Sequence, residues 1–158
     1  SNVDKNMRTP DLEEVLGDPR PTTYVPNRNM ILLSIAAAYA ETKKIDTILC
    51  GLQIHDEYNY YDTTQKFIDT LNAALSQNRI IKIKIYAPFV KIAKTDEIKE
   101  LLRLEGNVSL LGHTLSCYNP NEFGESCGAC PACSERLKAF ENCGVIDPIR
   151  YSLKNEYL

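Results

Sequence analysis

The sequence predicts a layered α/β protein built on a parallel sheet, with a metal-binding loop and helix towards its C-terminal end. Three observations carry this. Short runs of strand-forming residues alternate with segments of helical period. The first run, Thr47-Ile-Leu-Cys-Gly-Leu52, is apolar almost throughout, as a parallel strand covered on both faces should be. Finally, four cysteines gather between Ser116 and Arg136 at the spacing of a metal site.

The elements follow in order. Residues 1–23 hold Pro10, Gly17, Pro19 and Pro21 among many charges, so they read as a loop or arm, with only 11–16 able to form a helical turn. Residues 24–29 (Tyr-Val-Pro-Asn-Arg-Asn) lead into an alanine-rich helix over 30–41, apolar on nearly every face and expected to be buried on both sides. The strand 47–52 ends in a polar loop, 53–64. Phe67, Ile68, Leu71, Ala74 and Leu75 then give one apolar face to a helix over 64–77. In 79–86 isoleucines 80, 81, 83 and 85 are interspersed with lysines, a strand with one wetter face, which Pro88 ends. A further helix starts near Thr95, with Asp96 and Glu97 favourable at its N-terminal dipole, and stops before Gly106. Residues 107–111 are a third strand candidate. Pro131 opens the last helix, which Gly144 closes.

Cys117, Cys127, Cys130 and Cys133 form the most specific signal. Two overlapping Cys-x-x-Cys turns supply three soft ligands and Cys117 a fourth, which suits one tetrahedral zinc. Four thiolates leave no open position for substrate, so such a zinc is structural. Disulfides, a redox pair or an iron–sulfur cluster are the competing readings. Cys50 and Cys143 read as small buried hydrophobes, and His113 as structural near the metal.

At 158 residues and 44% hydrophobic content the chain is the size of one globular domain. A net charge of −3, with Lys and Arg scattered, argues against direct nucleic-acid binding. The longest apolar run is too short to span a bilayer, and free thiols suit a reducing, cytoplasmic setting.

Ligands of open α/β sheets bind beyond the carboxyl ends of the strands. The loop after Leu52, with His55, Asp56, Tyr58, Tyr60, Tyr61 and Asp62, is therefore the leading candidate for stacking on and hydrogen-bonding a planar heterocycle. The plain alternative is a polar surface loop. Arg28 and Asn29 at a helix start could receive an anion such as a nucleotide phosphate, or Asn27 or Asn29 could merely cap that helix. Lys94 faces the same choice between a phosphate and a surface carboxylate.

Together these residues resemble the 7-cyano-7-deazaguanine synthases of the N-type ATP pyrophosphatase group. The resemblance rests on 24–29 before the alanine-rich helix; on Gly51, Asp56, Tyr60, Asp62 and Phe67; on Pro88 with Lys94 to Ile98; and on Ser116-Cys117-Tyr118 with Cys127-Gly-Ala-Cys130-Pro-Ala-Cys133 and Arg136. It implies a Rossmann-like sheet of the adenine nucleotide alpha hydrolase type. The boundaries it suggests are an arm (1–23), an α/β portion (24–112), a zinc-binding subdomain (113–150) and a tail (151–158). The implied activity converts 7-carboxy-7-deazaguanine and ammonia to 7-cyano-7-deazaguanine through an adenylated carboxylate and an amide. ATP, Mg2+ and a structural zinc are the implied cofactors, and a homodimer the implied assembly. Asp56 and Lys94 would be catalytic; Arg28, Asn29, Gly51, Asp56, Tyr60 and Asp62 would bind substrate or nucleotide; the four cysteines would hold zinc. Members of the group begin with a Ser-Gly-Gly-x-Asp-Ser pyrophosphate loop that these 158 residues lack. The expectation is therefore either a C-terminal piece of a longer or split enzyme, the loop coming from an N-terminal complement, or a chain that has lost catalysis. The altered loop 56–67 leaves open an amide end point or a non-catalytic base-binding module.

Overall fold

The computed structural model describes residues 24–54 and 60–152. They fall into two compact units, 24–93 and 94–152. The arm, the loop residues 55–59 and the end of the tail lie outside the described residues.

In the first unit, helix α1 spans Arg28–Lys43. Asn27 precedes it in the left-handed conformation, and Lys44, also left-handed, ends it as Ile45 N–H reaches back to the Ala40 carbonyl. Strand β1 (Thr47–Leu49) pairs in parallel with β2 (Lys84–Tyr86), in the register Thr47↔Lys84, Ile48↔Ile85, Leu49↔Tyr86. Between them a 3-10 turn (Tyr61–Thr63) leads into helix α2 (Gln65–Leu75). Thr64 caps α2, its hydroxyl accepting from Phe67 N–H at 3.1 Å.

One face of the sheet is covered. Ile85 packs with Leu33, Leu52, Phe67, Ile68 and Val90, while Ala37 and Ala40 lie against Ile83. The small alanines let helix and strand approach closely. Two expectations fail here. Helix α1 is buried on one side only, through Leu33, Ala37 and Ala40; Ile31, Leu32, Ile35 and Tyr39 are more than half exposed. Strand β1 is not covered on both faces either: Leu49 is 72% exposed, because the described residues place helices on the Ile48 side alone. The second strand is also shorter than 79–86, with regular pairing only at its C-terminal end.

In the second unit helix α3 (Lys94–Glu105) packs on α4 (Pro131–Asn142), burying Ile98, Ala139 and Phe140. Gly144, at φ 65°, ends α4 in the conformation that favours glycine. The expected third strand is a 3-10 turn, Ser109–His113. The reason is local. The Asn107 side-chain oxygen accepts from both the N–H and the hydroxyl of Ser109, at 2.9 and 2.6 Å, and this folds the chain back before a strand can extend. No described helix is long and apolar enough to cross a membrane.

Candidate active site and metal centre

The candidate metal centre is assembled by the chain between the 3-10 turn and α4. Cys117 leaves the extended segment after His113, and the loop from it to Cys127 is organised by Asn121. That side chain accepts from Phe123 and Glu125 N–H at 3.0 and 2.9 Å and donates to the Glu125 carboxylate. A parallel bridge between Ser126 and Tyr151 anchors the loop further. Pro131 then starts α4, so that Cys130 and Cys133 flank its first turn.

The four sulfurs lie within 4.8 Å of one another, and Cys127 and Cys133 are 4.0 Å apart. A tetrahedron with Zn–S bonds of about 2.3 Å has sulfurs roughly 3.8 Å apart, so the thiols are set to close on one ion. Backbone N–H groups already point at them. Asn119 and Cys127 N–H donate to Cys117 Sγ at 3.2 Å, and Cys130 N–H to Cys127 Sγ at 3.3 Å. Burial pushes Cys127 up, but N–H groups of Ala129 and Cys130 and the neighbouring thiols outweigh it and bring the thiol down to about 7. Burial raises Cys117 and Cys133. Several thiolates at this spacing repel, and a cation of the zinc type resolves that conflict.

All six cysteines are free thiols. Cys50 and Cys143 are half-buried, each thiol facing a carbonyl, that of Tyr86 and of Thr95 respectively. His113 corrects another expectation. It ends the 3-10 turn exposed and is not among the clustered ligand groups.

Beside the cluster, Arg136 is 4% exposed and held from every side. Its Nε and Nη2 donate to the two Asp147 oxygens at 2.6 and 2.9 Å, Nη1 to Thr114 and Ser116, and Nη2 to the Leu111 carbonyl. The Tyr151 hydroxyl completes the set on Asp147 at 2.8 Å. Lys94 opens α3, with its ammonium 2.6 Å from Glu135 on α4. Lys94, Glu97, Ser116 and Arg136 line a cavity of about 200 Å³ in this unit. Sequence reasoning found Lys94 and Arg136 but missed Glu135 and Asp147, which no local pattern marks.

In the first unit the fold brings four of the predicted residues together at the start of α1. Asp62 is 3% exposed, and its carboxylate accepts from Asn29 N–H at 2.9 Å, while the Asn29 side chain donates to the Asp62 carbonyl. Asp62 thus caps α1 from outside the helix, placing a negative charge at its positive end. Neither asparagine caps α1 with its side chain, the local alternative; Asn27 instead accepts from the Tyr61 hydroxyl. Tyr24 and Tyr60 stack, with centroids 6.2 Å apart and planes 10° from parallel, and the Arg28 guanidinium lies 5.8 Å over Tyr60. Gly51 stands at the C-terminal end of β1 with open space where a Cβ would be. Asp56 lies outside the described residues.

Fold and site define an α/β protein with a four-thiol loop able to hold a metal ion, and an aromatic and cationic cluster near the carboxyl end of its parallel sheet. Residues 1–144 match the family model described as queuosine biosynthesis protein QueC. The 7-cyano-7-deazaguanine synthase of Campylobacter curvus is 39% identical over 152 residues, covering 95% of this chain and 65% of the relative. That of Clostridium kluyveri is 38% identical, covering 94% and 66%, and that of Methanococcus aeolicus 34%, covering 94% and 64%. The chain belongs to the QueC family. It spans just under two thirds of the length of these curated relatives.

Proposed function

We propose that this chain forms the base-binding and zinc-stabilised part of an ATP-dependent 7-cyano-7-deazaguanine synthase in a soluble cytoplasmic assembly. The observation that carries the reading is the cluster at the start of α1. The planar Tyr24–Tyr60 stack, the Arg28 cation and the Asn29–Asp62 pair come from segments about thirty residues apart and meet where α/β sheets bind ligands. The names of the relatives supply the substrate class.

In the proposed reaction the carboxylate of 7-carboxy-7-deazaguanine attacks the α-phosphate of ATP, releasing pyrophosphate and giving an acyl adenylate. Ammonia displaces AMP to form the amide. A second adenylation, now on the amide oxygen, lets AMP leave as the nitrile forms. Tyr60 would stack on the deazaguanine, with Asp62 and Asp56 accepting from its amino and ring N–H groups. Arg28 and Asn29 would orient the anionic carboxylate, and Gly51 would let it approach the backbone. Lys94 would leave Glu135 to stabilise charge on the transferred phosphoryl oxygens. Cys117, Cys127, Cys130 and Cys133 would hold the zinc, which supplies folding energy rather than chemistry. Magnesium would enter with ATP, neutralising its phosphates.

ATP binding is assigned to a complement carrying the pyrophosphate loop, and the working assembly to a homodimer. The test is mass spectrometry of reactions containing the zinc-loaded chain, with and without that complement, plus ATP, magnesium, ammonium and 7-carboxy-7-deazaguanine. Nitrile with AMP is expected when both parts are present. The altered loop 56–67 favours one second reading, an enzyme stopping at the amide, which the same spectrum identifies by mass. Absence of AMP and of both products from the combined parts refutes the enzymatic reading and leaves a base-binding module.

A further inference from the structure

We infer that residues 145–152 form a hinged strap over the four-thiol cluster, and that a zinc ion enters and leaves the cluster by opening of the strap's last three residues rather than by unfolding of the 94–152 unit. Burial along this segment alternates strictly: Val145, Asp147, Ile149 and Tyr151 are half-buried, and Ile146, Pro148, Arg150 and Ser152 are exposed. That is the pattern of an extended chain laid on a surface with every second residue inward. Tyr151, the last inward residue, packs against the buried thiols of Cys117, Cys130 and Cys133. Its ring covers the cluster from the strap side.

The strap is held unequally along its length. At its root the Asp147 carboxylate is buried against Arg136 and also accepts from Ile149 N–H and the Tyr151 hydroxyl. Beyond that anchor the strap meets the metal loop at Ser126, whose N–H donates to the Arg150 carbonyl at 2.9 Å and whose carbonyl accepts from the N–H and hydroxyl of Ser152 at 2.8 and 3.3 Å. The pairing of Ser126 with Tyr151 is an isolated bridge, so no neighbouring pair in a ladder supports it. Closure also carries a penalty at this residue. Ser126 is 1% exposed, and its Oγ has no hydrogen-bond partner among the described residues. A buried hydroxyl left unpaired is unfavourable, and opening of 150–152 lets water reach it. A bridge of this kind belongs to the low end of local stabilities, from which partial openings are drawn. The inference rests on the proposed zinc site and specifies how that site opens.

The test loads the full chain with zinc and follows release to excess EDTA by elemental analysis of desalted aliquots, with amide hydrogen exchange alongside. In the parent chain the amides of Ser126 and Ser152 should exchange at least tenfold faster than that of Phe140 in α4. Ser152→Pro, which removes the N–H donated to Ser126, and Tyr151→Ala, which uncovers the thiols, should each speed zinc release at least tenfold. Ser126→Ala removes the orphaned hydroxyl and should slow release at least threefold. Ile98→Ala leaves a cavity between α3 and α4 and lowers the stability of the unit, yet should leave release within twofold. Circular dichroism checks that each variant is folded, and Ser126→Ala, smaller by one oxygen, keeps the test decisive if Tyr151→Ala does not fold. The inference is overturned if Ile98→Ala speeds release as much as the strap variants do, or if Ser152→Pro and Tyr151→Ala leave it unchanged. It is also overturned if Ser126→Ala speeds release, which would make the hydroxyl a support of the metal, or if the three amides are equally protected. A parent chain that takes up no stoichiometric zinc removes the metal site and the strap's role together, whereas a zinc-loaded chain that fails these comparisons removes the strap alone.

Discussion

Replacing Asp147 by alanine should destabilise the 94–152 unit by about 3–5 kcal/mol, the loss expected when one partner of a buried ion pair is removed. Asp147 and Arg136 side chains are only 4% and 5% exposed. The substitution removes two charge-assisted bonds to Arg136 and leaves the Tyr151 hydroxyl and Ile149 N–H without that acceptor. Thr114, Ser116 and the Leu111 carbonyl still hold the guanidinium, so the cation stays buried without its counter-charge. The assay is urea unfolding of zinc-saturated protein, followed by tyrosine fluorescence, at fixed free zinc. The double variant Arg136→Met with Asp147→Leu separates the charge from the packing. It should recover most of the loss, because a buried pair exchanged for apolar side chains is often neutral in stability. A loss below about 1 kcal/mol in Asp147→Ala would put the pair in the range of exposed ion pairs and refute the argument. So would a double variant less stable than the single one.

Cys130→Ser should abolish stoichiometric zinc, measured by elemental analysis, and unfold the 94–152 unit, because structural zinc contributes on the order of 10 kcal/mol to small sites; unchanged metal content and melting would exclude the four-thiol site. Tyr151 is held above its ordinary pKa by burial and by the Asp147 carboxylate. Its contribution is therefore complete below the unfolded tyrosine value and lost as pH rises through the folded one, so stability should fall in alkali and Tyr151→Phe should flatten that fall. Asp62→Ala leaves Asn29 N–H and the α1 dipole without their acceptor and should lower stability by about 1–2 kcal/mol in denaturant titrations; a change below experimental error would show that the contact does not cap the helix. Lys94→Ala should change stability by less than about 1 kcal/mol, as the pair with Glu135 is partly exposed, while reducing AMP formation at least a hundredfold. Equal activity of variant and parent would remove Lys94 from the chemistry.

What was legible in the sequence and what was not divide along physical lines. The four-thiol cluster could be read because Cys-x-x-Cys spacing is a local constraint, and α2 because a single apolar face of helical period recurs between 64 and 75. The parallel pairing followed from alternation of strand and helix, although regular pairing covers only three residues on each strand. Burial was misjudged at Leu49, Ile31 and Ile35 for a different reason. Apolar composition records what a surface is suited to meet, and the described residues cover only one face of that sheet. The turn at 109–113 was missed because Val108, Leu110 and Leu111 look like a strand, while one side chain, Asn107, decides otherwise. Asp62 as the cap of α1 was invisible because its partner is 33 residues away.

A metal without an open coordination position still bears on the proposed chemistry through the geometry of α4. The first turns of that helix carry Cys133, Glu135 and Arg136 within four residues. Cys133 belongs to the thiol cluster, Glu135 neutralises Lys94, and Arg136 gathers Thr114, Ser116 and Asp147. Glu135, two positions from Cys133 and one from Arg136, points away from both, whereas Cys133 and Arg136, three apart, share a face; all three reach their surroundings only if the turn itself is fixed. A zinc bound through Cys130 and Cys133 would fix that turn at its N-terminal end, and Gly144 with the packed Phe140 fixes the helix at the other. On the proposed zinc site, the position of the carboxylate facing Lys94 would be set by the metal loop. Loss of zinc should release Lys94 from Glu135 before it touches the aromatic cluster around Tyr60, which sits in the other unit and draws its order from Asp62 and α1. Binding of a deazaguanine base by the chelated protein, with AMP formation lost, would be the signature of that separation; loss of both at the same zinc concentration would show that the metal loop supports the base site as well.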